Sequence, residues 1–160
     1  MRSGVGFDAH RFAPDRSLVI GGVTIEHHLG LSGHSDADVL SHAVGDALLG
    51  AAGLGDLGSR FPAEEKWKGI SSLVLLEDIA GEVRQNGWRI ANVDATVVAE
   101  APRLASHVTA MRAKVAGALG IEADLVSVKA TTTDGMGFTG RGEGIACIAI
   151  ASLEPSGPGG

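Results

Sequence analysis

The chain has 160 residues, 44% of them hydrophobic and 20% charged, with a formal net charge of −6. That length suits one domain around one core, and the acidic balance disfavours long-range attraction to nucleic acid or an anionic membrane surface. A single cysteine, Cys147, excludes an internal disulfide framework, while 24 glycines point to tight turns and close backbone approach to a ligand.

In chain order, residues 2–9 read as a strand running into Asp8-Ala9-His10. Leu18–Ile20 and Val23–Ile25 flank Gly21-Gly22, a two-residue hairpin signal. Ser35 followed by Asp38 resembles a capping box and predicts a helix start there. Ala37, Leu40, Ala43, Val44, Ala47, Leu48 and Ala51 then make an apolar stripe that Gly53 stops. Residues 55–69 read as a loop, 70–86 as a helix closed by Gly87, and 88–99 as a strand with Ile90, Val93, Ala95 and Val97 inward. A third helix spans 106–119, and a strand over 125–130 ends in Thr131-Thr132-Thr133. After a Gly-rich loop, the almost wholly apolar 144–153 predicts a strand covered on both faces.

Two of these strands follow helices without a hairpin, so the expected fold is α+β. It is a two-layer domain over residues 1–153, a mixed β-sheet with helices packed on one face, followed by a flexible tail over 154–160. No apolar run reaches the roughly 18 residues of a membrane span, and the first residues carry no signal-peptide core. A cytoplasmic protein is expected.

Asp8 and His10 stand at i and i+2 of a strand, so their side chains point to one face, where carboxylate and imidazole can share a metal ion. Taken alone, the pair reads as surface groups at a strand end. His42 lies one helical turn from Asp38 and from Asp46. It reads either as a surface histidine between two acids or as a third ligand whose second ring N–H one of those acids accepts. An Asp-His-His set suits zinc with an open fourth position.

Gly33-His34-Ser35 precedes the expected helix start, where free N–H groups favour an anion and His34 can donate to a phosphate. Thr131-Thr132-Thr133-Asp134 leads into glycine-rich 135–144. That stretch is either a β-branched strand end with a flexible loop or a phosphate cradle in which Asp134 holds a cation such as Mg²⁺. Arg141 and Glu143 pair with each other or bind an anion. Cys147 reads as a small core residue.

Several segments together resemble the family of 2-C-methyl-D-erythritol 2,4-cyclodiphosphate synthases. They are Gly6-Phe7-Asp8-Ala9-His10-Arg11-Phe12, His34-Ser35-Asp36-Ala37-Asp38-Val39 with His42-Ala43, and Asp46-Ala47-Leu48-Leu49-Gly50-Ala51. Gly55-Asp56-Leu57-Gly58, Phe61-Pro62, Asn92-Val93-Asp94, Ala101-Pro102, Lys129 through Thr133, and residues 137–144 (GFTGRGEG) follow in order.

The resemblance implies an enzyme of non-mevalonate isoprenoid biosynthesis, a metal-dependent phosphorus–oxygen lyase. It closes 4-diphosphocytidyl-2-C-methyl-D-erythritol 2-phosphate into 2-C-methyl-D-erythritol 2,4-cyclodiphosphate and releases CMP. It implies a homotrimer with a site at each subunit interface, Zn²⁺ on Asp8, His10 and His42, and Mg²⁺ or Mn²⁺ near Asp134. His34 and Thr132 would stabilise the transition state. Asp8, His10, His34, Ser35, Asp56, Leu57, Gly58 and Phe61 would line the substrate on one side. Ala99, Ala101, Pro102, Arg103, Leu104, Ala105, Thr131, Thr132, Thr133, Asp134, Phe138 and Arg141 would complete it. Phe7, Arg141 and Glu143 match a cavity on the trimer axis that takes an isoprenoid diphosphate.

Two departures stand out: Asp134 replaces the family's usual Glu, and residues 63–68 lack its Asp-rich pattern. The family's setting implies a bacterial cytoplasm, or a plastid stroma after removal of a transit peptide. Two rivals remain at this level: a zinc hydrolase using the open metal position, and a non-catalytic binder of isoprenoid diphosphates.

Overall fold

The computed structural model describes residues 1–157. Strand β1 (Arg2–Ala13) runs well past His10, and β2 (Leu18–Ile20) turns back on β3 (Val23–Ile25). The turn uses Gly21 and Gly22, both at positive φ, as a type I′ connection demands. After the short β4 (Gly30–Leu31) come α1 (Val39–Ala52), α2 (Leu57–Arg60) and α3 (Ser72–Gln85). Then follow β5 (Trp88–Val98), α4 (Val108–Leu119), β6 (Val126–Thr131), α5 (Gly137–Gly140) and β7 (Gly144–Pro155). The stretch expected to be loop thus holds a helical turn, closed at its start by the Asp56 side chain on Ser59 N.

Five strands form one sheet in the order β4-β1-β7-β5-β6, with β2 and β3 as a separate pair. Every pairing in the large sheet is antiparallel except β5 with β6, whose parallel register requires the α4 crossover. The sheet is therefore mixed, as expected. The β5–β7 register slips between Ile90 and Asn92. That bulge lets Ile90 and Val93, an odd number of residues apart, both face the core.

The helices cover one face. Helix α1 lies on β1 and β7, α3 packs on α1, and α4 packs on α3 and β6. Twelve of the 14 residues of α1 are buried, so the single apolar stripe expected of it understates its position at the centre of the molecule. Gly4 and Gly6 are the reason it sits so close: a Cβ at either would overlap the α1 backbone at Ala47 or Ala43.

The other face carries the correction to β7. Gly144 through Cys147 are all buried, but beyond them buried and more exposed residues alternate, with Ile148 and Ile150 nearly half exposed instead of covered. Opposite them on β1 stand Phe7 and Val5, at 58% and 69% exposure, paired with Ile148 and Ile150 respectively. Continuous hydrophobicity in β7 therefore serves the core on one side and an open apolar patch on the other. The strand also continues to Pro155, into the segment expected to be tail, while residues 158–160 lie outside the described part. Among the described residues, no helix is long and apolar enough to cross a membrane.

Candidate functional site

Alternation along β1 turns Gly4, Gly6, Asp8 and His10 toward α1. The two glycines admit the helix, and the next two inward positions meet His42 in its first turn. Asp8 Oδ2 lies 2.8 Å from His10 Nε2 and 3.0 Å from His42 Nδ1, and the two ring nitrogens are 3.1 Å apart. These separations are close to the ~3.3 Å expected between ligand atoms of a tetrahedral zinc with bonds of roughly 2.0–2.1 Å. One carboxylate and two imidazoles converging from two elements form a donor set that can hold a metal ion.

The electrostatics agree. Burial alone would raise the pKa of Asp8, but hydrogen bonds and charge from His10 and His42 outweigh it and hold the carboxyl well below its usual range. Burial lowers the pKa of His10, and the Asp8 carboxylate together with the Ser32 carbonyl reverses that and raises it.

Each imidazole is held from behind. His10 Nδ1 donates to Ser32 O at 2.7 Å. His42 Nε2 lies 2.9 Å from Ser72 Oγ and 3.1 Å from Ser35 Oγ. Neither acid predicted for that role takes it. Asp38 is fully buried and accepts from Gly21 N, Gly22 N, Ser41 N and Ser41 Oγ, while Asp46 accepts from Leu57 N at 2.7 Å. Asp38, not Ser35, is also the N-cap of α1. Ala37 adopts a left-handed φ of 57° just before it, so helical geometry begins only at Val39. Gly33-His34-Ser35 consequently has no helix N-terminus behind it, and the anion site expected from the dipole is not formed. Arg16 instead clamps the segment, donating to Gly33 O and Ser35 O at 2.7 and 2.8 Å.

A cavity of about 260 Å³ opens beside the cluster, lined by Asp8, His10, His42, His34, Ser35 and Leu57, with Phe61, Ala63, Trp67 and Leu75 beyond. His34 is exposed, its Nε2 2.6 Å from Glu64 O. In the 63–68 stretch, Trp67 packs edge-on against Phe61 with ring centroids 5.1 Å apart. Asp56 and Gly58 are exposed at the start of α2 beside it.

A second cavity, about 320 Å³, is bordered by Ala99, Pro102, Arg103, Leu104 and Ala105 from the segment after β5, and by Thr131 and Thr132 at the end of β6. Ala101, joined to Pro102 by a cis peptide bond, is exposed beside it. Glu100 organises this region: its Oε1 accepts from Thr133 N and Gly135 N at 3.1 and 3.2 Å. Thr132 Oγ1 donates to Asp134 Oδ1 at 3.1 Å, and Asp134 turns the chain with a φ of 52°.

The two cavities share no lining residue. Within one chain, Thr132 and Asp134 therefore do not line the pocket of the Asp8 cluster. Phe138 and Glu143 line a third, smaller cavity with Ala9, His10 and Arg11. Arg141 Nε donates to Glu143 Oε1 at 2.6 Å, so the two side chains pair with each other here. Phe7 belongs to the open apolar patch, and Cys147 is buried in the core with its thiol pKa raised by that burial.

Sequence reasoning missed the supports: Ser32, Ser72, Arg16 and Glu100. Only Ser71-Ser72 before an apolar-periodic helix carried a signal, and that signal reads as a cap, a role Ser71 does fill on Leu73 N.

The family model described as YgbB matches residues 1–154. The 2-C-methyl-D-erythritol 2,4-cyclodiphosphate synthase of Syntrophomonas wolfei is 56% identical over 155 residues, covering 96% of this chain and 99% of its own. The bifunctional enzyme IspD/IspF of Anaeromyxobacter dehalogenans is 59% identical over 152 residues, and the chain spans only 39% of its length. Among solved structures, the Plasmodium falciparum IspF complex with CDP superposes with a TM-score of 0.86 at 29% identity, covering 97% of this chain and 96% of that one. On full-length similarity in sequence and fold, with a metal-ligand cluster in place, this chain belongs to the YgbB family of 2-C-methyl-D-erythritol 2,4-cyclodiphosphate synthases.

Proposed function

We propose that this chain converts 4-diphosphocytidyl-2-C-methyl-D-erythritol 2-phosphate to 2-C-methyl-D-erythritol 2,4-cyclodiphosphate with release of CMP, in the non-mevalonate route to isoprenoids in a bacterial cytoplasm. The convergence of Asp8, His10 and His42 at 2.8–3.1 Å is the observation that carries the reading. The 2-phosphate oxygen forms a bond to the β-phosphorus, the bond from that phosphorus to the CMP oxygen breaks, and the electron pair leaves with CMP. Asp8, His10 and His42 would hold Zn²⁺ and Asp134 would hold Mg²⁺ or Mn²⁺, and these ions would supply positive charge that screens the phosphates from one another.

The rest falls to the chain's own groups. Holding the substrate folded back on itself contributes proximity worth about 7–11 kcal/mol. His34 is exposed at the rim of the first cavity and donates to a phosphate oxygen there once its Nε2 leaves the Glu64 carbonyl. Thr132 does so from the second cavity, its hydroxyl turning from Asp134 to the substrate. Ser35 lines the first cavity with its hydroxyl 3.1 Å from His42 Nε2, placed to support that ring and to border the substrate. The backbone of 99–105 supports the nucleotide, consistent with a relative that forms a CDP complex.

One chain holds these groups in separate cavities, and the proposed homotrimer joins the first cavity of one copy to the second of its neighbour. The exposed Val5–Ile150 and Phe7–Ile148 pairs would supply the apolar surface for that assembly. Phe7, with the Arg141–Glu143 pair, would border an axial cavity for an isoprenoid diphosphate.

The test is ³¹P NMR of the synthetic substrate incubated with the protein and both metals. Cyclic diphosphate with equimolar CMP is expected, and linear products alone indicate a hydrolase and defeat the proposal. Light scattering is expected to give three times the chain mass.

A further inference from the structure

We propose that Ser72 and Asp36 are positioning residues that set the tautomer of His42, a reading that rests on Asp8, His10 and His42 forming a zinc site. Ser72 is only 1% exposed and occupies the first position of α3. Its hydroxyl donates to Asp36 Oδ1, and its backbone N–H donates to Asp36 Oδ2 at 2.9 Å. An ionised carboxylate only accepts, and a hydroxyl has one proton to give. Once that proton is on the Asp36 side, Ser72 Oγ can only accept from His42 Nε2, 2.9 Å away. His42 Nε2 therefore carries the ring proton.

A neutral imidazole has one N–H, so Nδ1 is left bare, and Nδ1 is the atom aimed at Asp8 Oδ2 and His10 Nε2. Ser35 Oγ, 3.1 Å from the same Nε2, accepts from Ala37 N at 3.3 Å and has Ser72 Oγ at 3.5 Å as an acceptor for its own proton, so it too can take the Nε2–H as an acceptor. The relay is held in place by two backbone hydrogen bonds between its segments, Asp36 N to Ile70 O at 3.1 Å and Gly69 N to His34 O at 2.9 Å.

The two histidines differ in this respect. His10 is fixed by a backbone carbonyl that no substitution removes, whereas His42 depends on a chain of two side chains from another part of the sequence. The negative charge at the end of that chain strengthens the Nε2–H bond and makes Nδ1 a better donor to a metal.

The experiment measures zinc affinity of the folded full chain by competition with a chromophoric chelator, with circular dichroism confirming the fold. Ser72→Ala is expected to bind zinc about 10–100-fold more weakly than the wild type. Asp36→Asn should lose less, and the double variant should be no weaker than Ser72→Ala alone, because both break one chain. Ser72→Thr, which keeps the hydroxyl, should stay near wild type. A folded Ser72→Ala protein with unchanged affinity, or a double variant whose loss is the sum of the singles, overturns the proposal. If Ser72→Ala does not fold, Asp36→Asn decides: unchanged affinity refutes the relay. A wild-type protein that takes up no zinc defeats the underlying metal-site reading instead, and His42→Ala losing zinc while Ser72→Ala keeps it defeats the relay alone.

Discussion

The pocket around Asp8, His10 and His42 and the pocket at the end of β6 are built to different standards of rigidity. In the first, ligand atoms come from a strand and a buried helix, and each ring is anchored at its second nitrogen. In the second, Thr131, Thr132 and Asp134 are exposed, and their positions depend on a turn of the chain and the Glu100 carboxylate. The buried half is preorganised within one chain, which suits an ion that needs ligands at fixed distances. The exposed half waits for cover. A polar loop on an open surface contributes little until water is displaced, which the proposed assembly would do.

Substitutions should separate these halves. Asp8→Ala has the largest expected effect: loss of stoichiometric zinc, read by metal analysis, with activity below about 10⁻³ of wild type, since charge neutralisation and substrate placement fail together. Retention of one zinc per chain would mean that the two histidines suffice. Thr132→Ala, in the exposed half, should lower kcat by about 10²–10³-fold, the usual cost of one lost transition-state donor. Its zinc content should stay whole, and a joint loss of zinc would show that the halves are not independent.

The smallest effect is on the pH dependence of stability without metal. Asp8, with its pKa depressed on folding, contributes stability above its unfolded value near ~3.9 that is lost as pH falls through the folded value. His10, with its pKa raised, contributes stability below about 6.5 that is lost as pH rises through the folded value. Calorimetry on chelator-treated protein should therefore show the Tm gap between wild type and His10→Gln shrinking from pH 6 to pH 8. With excess zinc the gap should widen instead, because metal binds the neutral ring. A metal-free gap that grows with pH would contradict the arrangement of the cluster.

Much of the fold was legible because its signals are local. Gly21-Gly22 between two apolar triplets specifies its hairpin, and alternation on Val93, Ala95 and Val97 finds the inner face of β5, which Ile90 joins only through the bulge. The start of α1 was misplaced because Ser35 and Asp38 are both good caps, and only the left-handed turn at Ala37 decides between them. Spacing offered Asp8, His10 and His42 as a metal-binding set beside a reading as surface groups, and the family resemblance chose between the two. Ser72 was not legible, lying 30 residues beyond His42, in a residue type that ordinarily caps a helix. The apolarity of β7 was read correctly, but hydrophobicity alone does not say whether the same chain or another one covers the outer face.

The glycines at positions 4 and 6 have a consequence for the spacing of the Asp8 cluster. Because neither of them projects a side chain toward α1, that helix rests on bare main chain there, and backbone contact sets how closely His42 approaches Asp8 and His10. A side chain at either position would force α1 outward and carry His42 away from Asp8 and His10, so the cluster depends on two residues that lie outside it.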